Sequence, residues 1–123
     1  QLVGRKTRAE IVDILCASHA FVLASRSENF SVAVLEALSV GLPVIATICG
    51  GIKECINEQN GLLVSVEDVD ALSKALVEMY ENYSRYDTDY IVSDYQNRFS
   101  SAVIAHQLTK IFEGVIRKKG EIN

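Results

Sequence analysis

The stretch Ser25-Arg26-Ser27-Glu28-Asn29-Phe30-Ser31-Val32-Ala33-Val34-Leu35-Glu36-Ala37-Leu38-Ser39-Val40-Gly41-Leu42-Pro43-Val44-Ile45-Ala46-Thr47 decides the fold. It opens as a polar loop and continues from Val32 to Val40 without a helix breaker. It then stops at Gly41, the residue type that most readily ends a helix in a left-handed turn. Pro43 follows where a new element starts, and Val44-Ile45-Ala46-Thr47 is a short apolar run of strand type. Just upstream, Ala20-Phe21-Val22-Leu23-Ala24 is a second continuous apolar run. Apolar strand, helix, apolar strand in that order predicts a parallel sheet whose strands are buried on both faces.

Working outward, Leu2-Val3-Gly4 reads as the end of a strand followed by a turn. Thr7-Arg8-Ala9-Glu10 is a capping box, and Ile11, Ile14 and Leu15 continue it at helical spacing. The spacing predicts a helix from about residue 8 to 17. Downstream, Gly50-Gly51 opens a turn and Lys53 to Ile56 is a short helix. The Asn60-Gly61 turn leads into a third strand, Leu62-Leu63-Val64. Asp68 caps a helix running to about Tyr83, with Leu72, Leu76 and Met79 on its inner face. Ser84 to Asp89 reads as a loop and Tyr90 to Tyr95 as a short helix. Ser100 or Ser101 caps the last helix, whose apolar stripe is Ile104, Leu108, Ile111, Phe112 and Val115. The alternation specifies an α/β, Rossmann-like, doubly wound parallel sheet with flanking helices. The chain's 123 residues fit a single domain, 1–123, and leave no room for a second.

The hydrophobic share of 49% supports a packed core, and the formal net charge is -4. Lys and Arg do not cluster except at Arg117-Lys118-Lys119, where cations suit the end of the last helix. Nucleic acid and anionic membrane surfaces are poor partners for such a chain. Cys16, Cys49 and Cys55 make no CxxC pattern, so they read as reduced thiols of a cytosolic protein. Neither these nor two isolated histidines supply a metal site, and no segment has the length of a membrane span or the form of a signal peptide. The opening Gln1 and the single methionine, Met79, predict that the natural start lies elsewhere and that the chain is a fragment.

In a parallel α/β sheet, ligands sit beyond the carboxyl ends of the strands. Two loops meet that condition, Ser25 to Ser31 and Thr47 to Ile52. The first puts the backbone amides of Asn29, Phe30 and Ser31 at a helix start, a ready anion site for a phosphate. The second carries Gly50 and Gly51, which permit close approach of a ligand to the backbone. Each signal is weak alone, because most helix N-termini hold water. Glu28 stands in the first loop, and Glu36 lies in mid-helix among apolar neighbours. A buried carboxylate there needs donors, which the vicinal hydroxyls of a ribose would supply. On spacing alone, a Glu36 that faces solvent is the better reading.

The quoted stretch resembles the signature of the retaining glycosyltransferases of family four, the group 1 glycosyl transferases of two-domain GT-B architecture. The likeness rests on two glutamates separated by seven residues, an Ala-containing helix and Gly41-Leu42-Pro43-Val44. Gly50-Gly51-Ile52-Lys53-Glu54 and Asn60-Gly61-Leu62-Leu63-Val64 continue it, and it extends from about Gly4 to Leu76, with the last helix similar as well. The resemblance implies the C-terminal, donor-binding domain of such an enzyme, with the N-terminal acceptor domain absent. Glu28 would be the catalytic-site carboxylate facing the donor sugar, and Glu36 would bind the ribose hydroxyls. Asn29, Phe30 and Ser31 would hold the diphosphate and sugar through their amides, with Gly50 and Gly51 beside them. The family pattern Glu-Gly-Phe-Gly is replaced here by Glu28-Asn29-Phe30-Ser31; Asn tolerates positive φ, while Ser31 narrows the site and bears on sugar choice.

What the resemblance implies for function is transfer of a sugar with retention from a UDP- or GDP-sugar donor, without a metal cofactor. The leaving diphosphate would help deprotonate the acceptor, a saccharide or lipid-linked saccharide held by the other domain. The Arg and Lys that stabilise that diphosphate in the family, and the base-binding segment, lie upstream of this chain, so the isolated chain is expected to be inactive. The protein would work in the cytoplasm, at most peripherally at the inner face of a membrane. Two other readings stand beside it, a sugar-nucleotide epimerase of the same architecture and a non-catalytic nucleotide-sugar-binding or scaffold domain. A glycosidase pair of carboxyls is disfavoured by the mid-helix position of Glu36. His19, His106 and the tyrosines between Tyr80 and Tyr95 read as packing residues, Glu54 as a loop brace, and Cys49 as a poor nucleophile.

Overall fold

The computed structural model describes residues 1–121. The elements in chain order are α1 (Arg8–Cys16), β1 (Phe21–Leu23), α2 (Val32–Ser39), β2 (Val44–Thr47), α3 (Ile52–Cys55) and β3 (Gly61–Val64). They are followed by α4 (Val69–Glu81), a 3-10 turn (Tyr83–Arg85), α5 (Thr88–Phe99) and α6 (Ser101–Glu121). The strands form one parallel sheet in the order β1-β2-β3. Phe21 pairs with Val44 and Leu23 with Ala46, while Val44 pairs with Gly61 and Thr47 with Val64. All four residues of β2 are buried, as its central place requires.

The helix starts follow from their caps. Thr7 Oγ1 accepts from the Glu10 amide at 3.3 Å. Its own amide and hydroxyl donate to Glu10 Oε2 at 2.8 and 2.9 Å, closing the capping box. Asp68 accepts from the Ala71 amide at 2.8 Å, and Asp87 accepts from the Tyr90 amide at 3.0 Å. The Asp87 cap starts α5 at Thr88, so this helix is twelve residues long rather than the short Tyr90–Tyr95 segment expected. The expected loop at 84–89 is largely taken up by the 3-10 turn and this helix start.

Three further expectations are corrected. Leu2 and Val3 form no strand: both are exposed and neither pairs with the sheet. β1 is an edge strand, with β2 its only neighbour among the described residues, and Val22 is 41% exposed rather than buried on both faces. Leu76, expected on the inner face of α4, is also exposed, because α4 packs on the β2–β3 side through Ala75 and Met79 and does not close over β1.

The core lies between the sheet and α2, whose buried Val34, Ala37 and Leu38 recur at helical spacing. Ile45, Ile52, Cys55, Ile56, Met79, Tyr86 and Ile91 are among the other members of the cluster. α5 lies along α2 in the antiparallel sense. At the C-terminal end of α2, Gly41 adopts φ 80°, and a Cβ there would come within 2.3 Å of Thr88 Cγ2. At the other end, the Phe99 ring stands 6.3 Å from the Phe30 ring. From Ile104 to Lys118 every side chain of α6 is exposed. Lys119, the last of the basic run, lies outside the residues whose side chains are described.

Candidate functional site

The two loops singled out from the sequence are stitched together beyond the carboxyl ends of β1 and β2. Thr47 Oγ1 donates to the Ser25 carbonyl at 2.5 Å, anchoring the start of the 25–31 loop on β2. The Gly51 amide donates to the Asn29 carbonyl at 2.8 Å. Gly50 has φ 54°, and a Cβ on it would fall 1.8 Å from the Glu28 carbonyl oxygen and 2.7 Å from that of Asn29. The glycines therefore serve a close approach of backbone to backbone between the two loops. A Cβ on Gly51 would meet Phe30 Cδ2 at 2.8 Å, so the second glycine makes room for an aromatic ring.

Within the first loop, Ser25 Oγ donates to Glu28 Oε1 at 3.1 Å and orients a half-buried carboxylate. Asn29 is exposed, and Phe30 is 42% exposed with its ring tilted against Phe99. Ser31 is buried and acts as the N-cap of α2, its Oγ accepting from the Val34 amide at 3.4 Å. Its carbonyl accepts from the Leu35 amide at 3.3 Å. The first turn of the helix adds the amides of Val32 and Ala33, which have no acceptor among the described residues. The amides of Asn29, Phe30 and Ser31 also have no acceptor among the described residues. Ser31 identifies the cap, and that signal was present in the sequence.

Glu36 neither enters the core nor stands in open solvent. It is half-buried on the wall of a groove of about 300 Å3, between Arg8, Ile11 and Val12 of α1 and Val32, Leu35 and Ser39 of α2. No hydrogen-bond or ion-pair partner of its carboxylate occurs among the described residues. The groove includes Val32, the first residue of α2, whereas Glu28, Asn29, Phe30, Ser31 and Ala33 do not line it. Glu28 precedes α2 in the 25–31 loop, and Glu36 is the fifth residue of that helix. Arg8, on the facing wall, was not singled out in the sequence.

Two other concavities frame this region. One, of about 250 Å3, lies beyond the strand ends at Ala24, Thr47 and Ser65, where Arg26 pairs with Glu67 at 3.1 Å between exposed side chains. The other, of about 450 Å3, is an apolar trough beside edge strand β1, walled by Val22, Leu76, Tyr80 and Tyr83. The ring of His19 meets Tyr83 edge-on at 5.7 Å, and His106 is exposed on α6. The three cysteines are free. Burial pushes the Cys55 thiol up, opposed by the Arg98 charge and reinforced by that of Glu54. Among the described residues no three His, Cys, Asp or Glu side chains gather to hold a metal ion. No helix among them is long and apolar enough to cross a membrane.

Residues 1–82 match the family described as glycosyl transferases group 1. A GDP-mannose-dependent monoacylated alpha-(1-6)-phosphatidylinositol monomannoside mannosyltransferase of Corynebacterium glutamicum is 32% identical over 89 residues, covering 67% of this chain and 23% of that protein. A UDP-Gal:alpha-D-GlcNAc-diphosphoundecaprenol alpha-1,3-galactosyltransferase of Escherichia coli is 40% identical over 77 residues, covering 61% of this chain and 20% of that protein. The chain therefore spans less than a third of the length of either relative. Among solved structures, sucrose-phosphate synthase from Thermosynechococcus elongatus superposes with a TM-score of 0.83 at 26% identity, over 96% of this chain and 30% of that one. The Anabaena HepE protein in complex with UDP superposes with a TM-score of 0.75 at 23% identity, over 87% of this chain and 30% of that one. The parallel sheet and its helices are thus part of the GT-B architecture, and the chain belongs to the group 1 glycosyl transferases.

Proposed function

We propose that this chain supplies part of the donor site of a retaining, nucleotide-sugar-dependent glycosyltransferase. The observation that carries the reading is a half-buried Glu36, without a partner among the described residues, in a groove that includes Val32 at the start of α2, with Glu28 in the loop before that helix. Amides at a helix N-terminus suit a diphosphate, and a carboxylate without a partner suits a pair of ribose hydroxyls. The names of the two relatives each specify a nucleotide-sugar donor, GDP-mannose in one and UDP-Gal in the other.

In this reading the donor diphosphate lies over the amides from Asn29 to Ala33, and Glu28 faces the sugar. As the bond from the anomeric carbon to the diphosphate breaks, negative charge grows on the leaving oxygens. Fixed amide dipoles that need no reorganisation stabilise it. The acceptor hydroxyl approaches from the same face and loses its proton to the leaving group, which gives retention. The reaction as read here assigns no step to a metal. Cations for the leaving group and the acceptor site belong to the remainder of a protein of the relatives' length, so the chain alone is inactive in transfer. The place of action is the cytoplasm or the inner face of a membrane, in keeping with the lipid-bearing acceptors named for both relatives.

The test is an amide NMR titration of the chain with UDP and with GDP up to about 1 mM, a concentration that detects binding of roughly 4 kcal/mol. Shifts gathered at residues 28 to 36 and 49 to 54, and lost in Glu36→Ala, are expected. Silence toward both nucleotides, or equal shifts in Glu36→Ala, would remove the ribose role of Glu36 in this chain.

A further inference from the structure

α3 is only four residues long, and its last carbonyls would be orphans without outside donors. Asn60 Nδ2 donates to the Cys55 carbonyl at 3.0 Å, and Arg98 Nη2 donates to the Glu54 carbonyl. Arg98 is itself fixed on α5, where its Nη1 donates to Asp94 Oδ2 at 2.8 Å. Asp94 Oδ2 also accepts from Asn60 Nδ2 at 3.4 Å and Asn57 Nδ2 at 3.5 Å. The guanidinium lies 4.6 Å above the ring of its neighbour Phe99, and that ring stands 6.3 Å from Phe30. Phe30 in turn fills the space left by Gly51, the residue before α3.

These contacts close a circuit. From the last turn of α5 it runs through Phe99 to Phe30 in one candidate loop, across to Gly51 in the other, along α3 and back to Arg98. We propose that Arg98 and Phe99 are positioning residues that set the separation of the 25–31 loop and the glycine loop, and through it the donor site. The proposal rests on the reading given above for that site. Neither residue needs to touch a donor. Arg suits this place because its planar fork reaches two elements at once, whereas a Lys ammonium on a flexible stem cannot fix both directions. The Arg98–Asp94 pair is partly shielded, with side-chain exposures of 36% and 15%, so it is not a freely solvated surface ion pair.

The experiment compares Arg98→Lys, Phe99→Leu, Phe99→Ala and Phe99→Tyr in the 123-residue chain. Hydrogen exchange at the Gly51 amide, which donates to the Asn29 carbonyl, reads the contact between the loops. Exchange at the Phe21 amide, which donates to the Pro43 carbonyl between β1 and β2, reads the integrity of the sheet. Exchange at Gly51 should rise about tenfold in Arg98→Lys and Phe99→Ala, and less in Phe99→Leu, with Phe21 unchanged. Phe99→Tyr keeps the ring and should restore the wild-type rate. A wild-type Gly51 rate in Arg98→Lys and Phe99→Leu would overturn the proposal. If Phe99→Ala loses protection at Phe21 it is unfolded, and the two milder variants decide.

Titration with UDP and GDP carries the consequence for the donor site. Affinity should fall about tenfold or more in Arg98→Lys while the same amides shift, as expected when a site is misplaced rather than removed. Faster Gly51 exchange with unchanged affinity would overturn the positioning role. If the unaltered chain binds neither nucleotide, the donor-site reading fails and the exchange rates judge the coupling of the loops separately.

Discussion

Tyr86 has a buried hydroxyl with no hydrogen-bond partner among the described residues. Its ring belongs to the core, while burial pushes the phenol up, with the Arg85 charge opposing and the Glu78 charge adding to the effect. A polar atom buried without a partner costs free energy that a hydrogen atom in the same place does not. Tyr86→Phe should therefore raise stability by about 1 kcal/mol, measured by urea denaturation near neutral pH. A loss of stability would mean that the hydroxyl finds a donor or acceptor in solution. Because the folded phenol titrates above the unfolded one, wild-type stability should also fall as pH rises through and beyond the ordinary tyrosine range. That alkaline decline should be smaller in Tyr86→Phe. At this scale the sequence was a partial guide to the candidate site. Glu28, Glu36 and the glycines stand out in the string, but the opposing wall at Arg8 depends on how α1 packs against α2.

Helix starts were the most legible elements, because a cap is a local event between residues two or three apart. Thr7 with Glu10, and Asp68 with Ala71, act as their spacing specifies. Asp87 was missed because the tyrosines that follow it do not display a helical apolar stripe, and its cap adds two residues to the start of α5. The full extent of α5, and with it the brace at Arg98 and Phe99, was hidden by the same gap. Contacts such as Arg98 with Glu54 join positions 44 residues apart and have no signature in a single sequence. The box at Thr7 makes its own prediction. Hydrogen bonds from the Thr7 backbone amide, then from its hydroxyl, hold the Glu10 carboxyl below its ordinary range. A depressed carboxylate contributes stability above its unfolded value, and that contribution is lost as pH falls through the folded one. Amide exchange in α1 should accelerate in acid before that in α2 does, and Thr7→Ala should cost about 1 kcal/mol at neutral pH. Equal acid sensitivity of the two helices would show that Glu10 does not hold α1.

Among the described residues, burial is concentrated at one side. β2 and the inner faces of α2, α3 and α5 are buried, whereas β1 opens onto an apolar trough and α6 departs from the body after its first turn. The stripe expected on α6 is real as a pattern, but Leu108, Ile111, Phe112 and Val115 are all exposed. Periodicity shows that a helix has an apolar face; it does not show that the face is covered. Buried area rather than hydrophobic character sets the contribution of such a face to stability. Replacing Leu108 and Ile111 with Gln, which keeps helix propensity, should therefore change the melting temperature of the chain by less than about 4 °C, corresponding to less than about 1 kcal/mol. The melt should be followed at several chain concentrations. A larger drop that disappears on dilution would mean that copies of the chain cover the stripe in solution. A larger drop at every concentration would mean that α6 folds back on its own body, and the extended course of this helix would then be wrong.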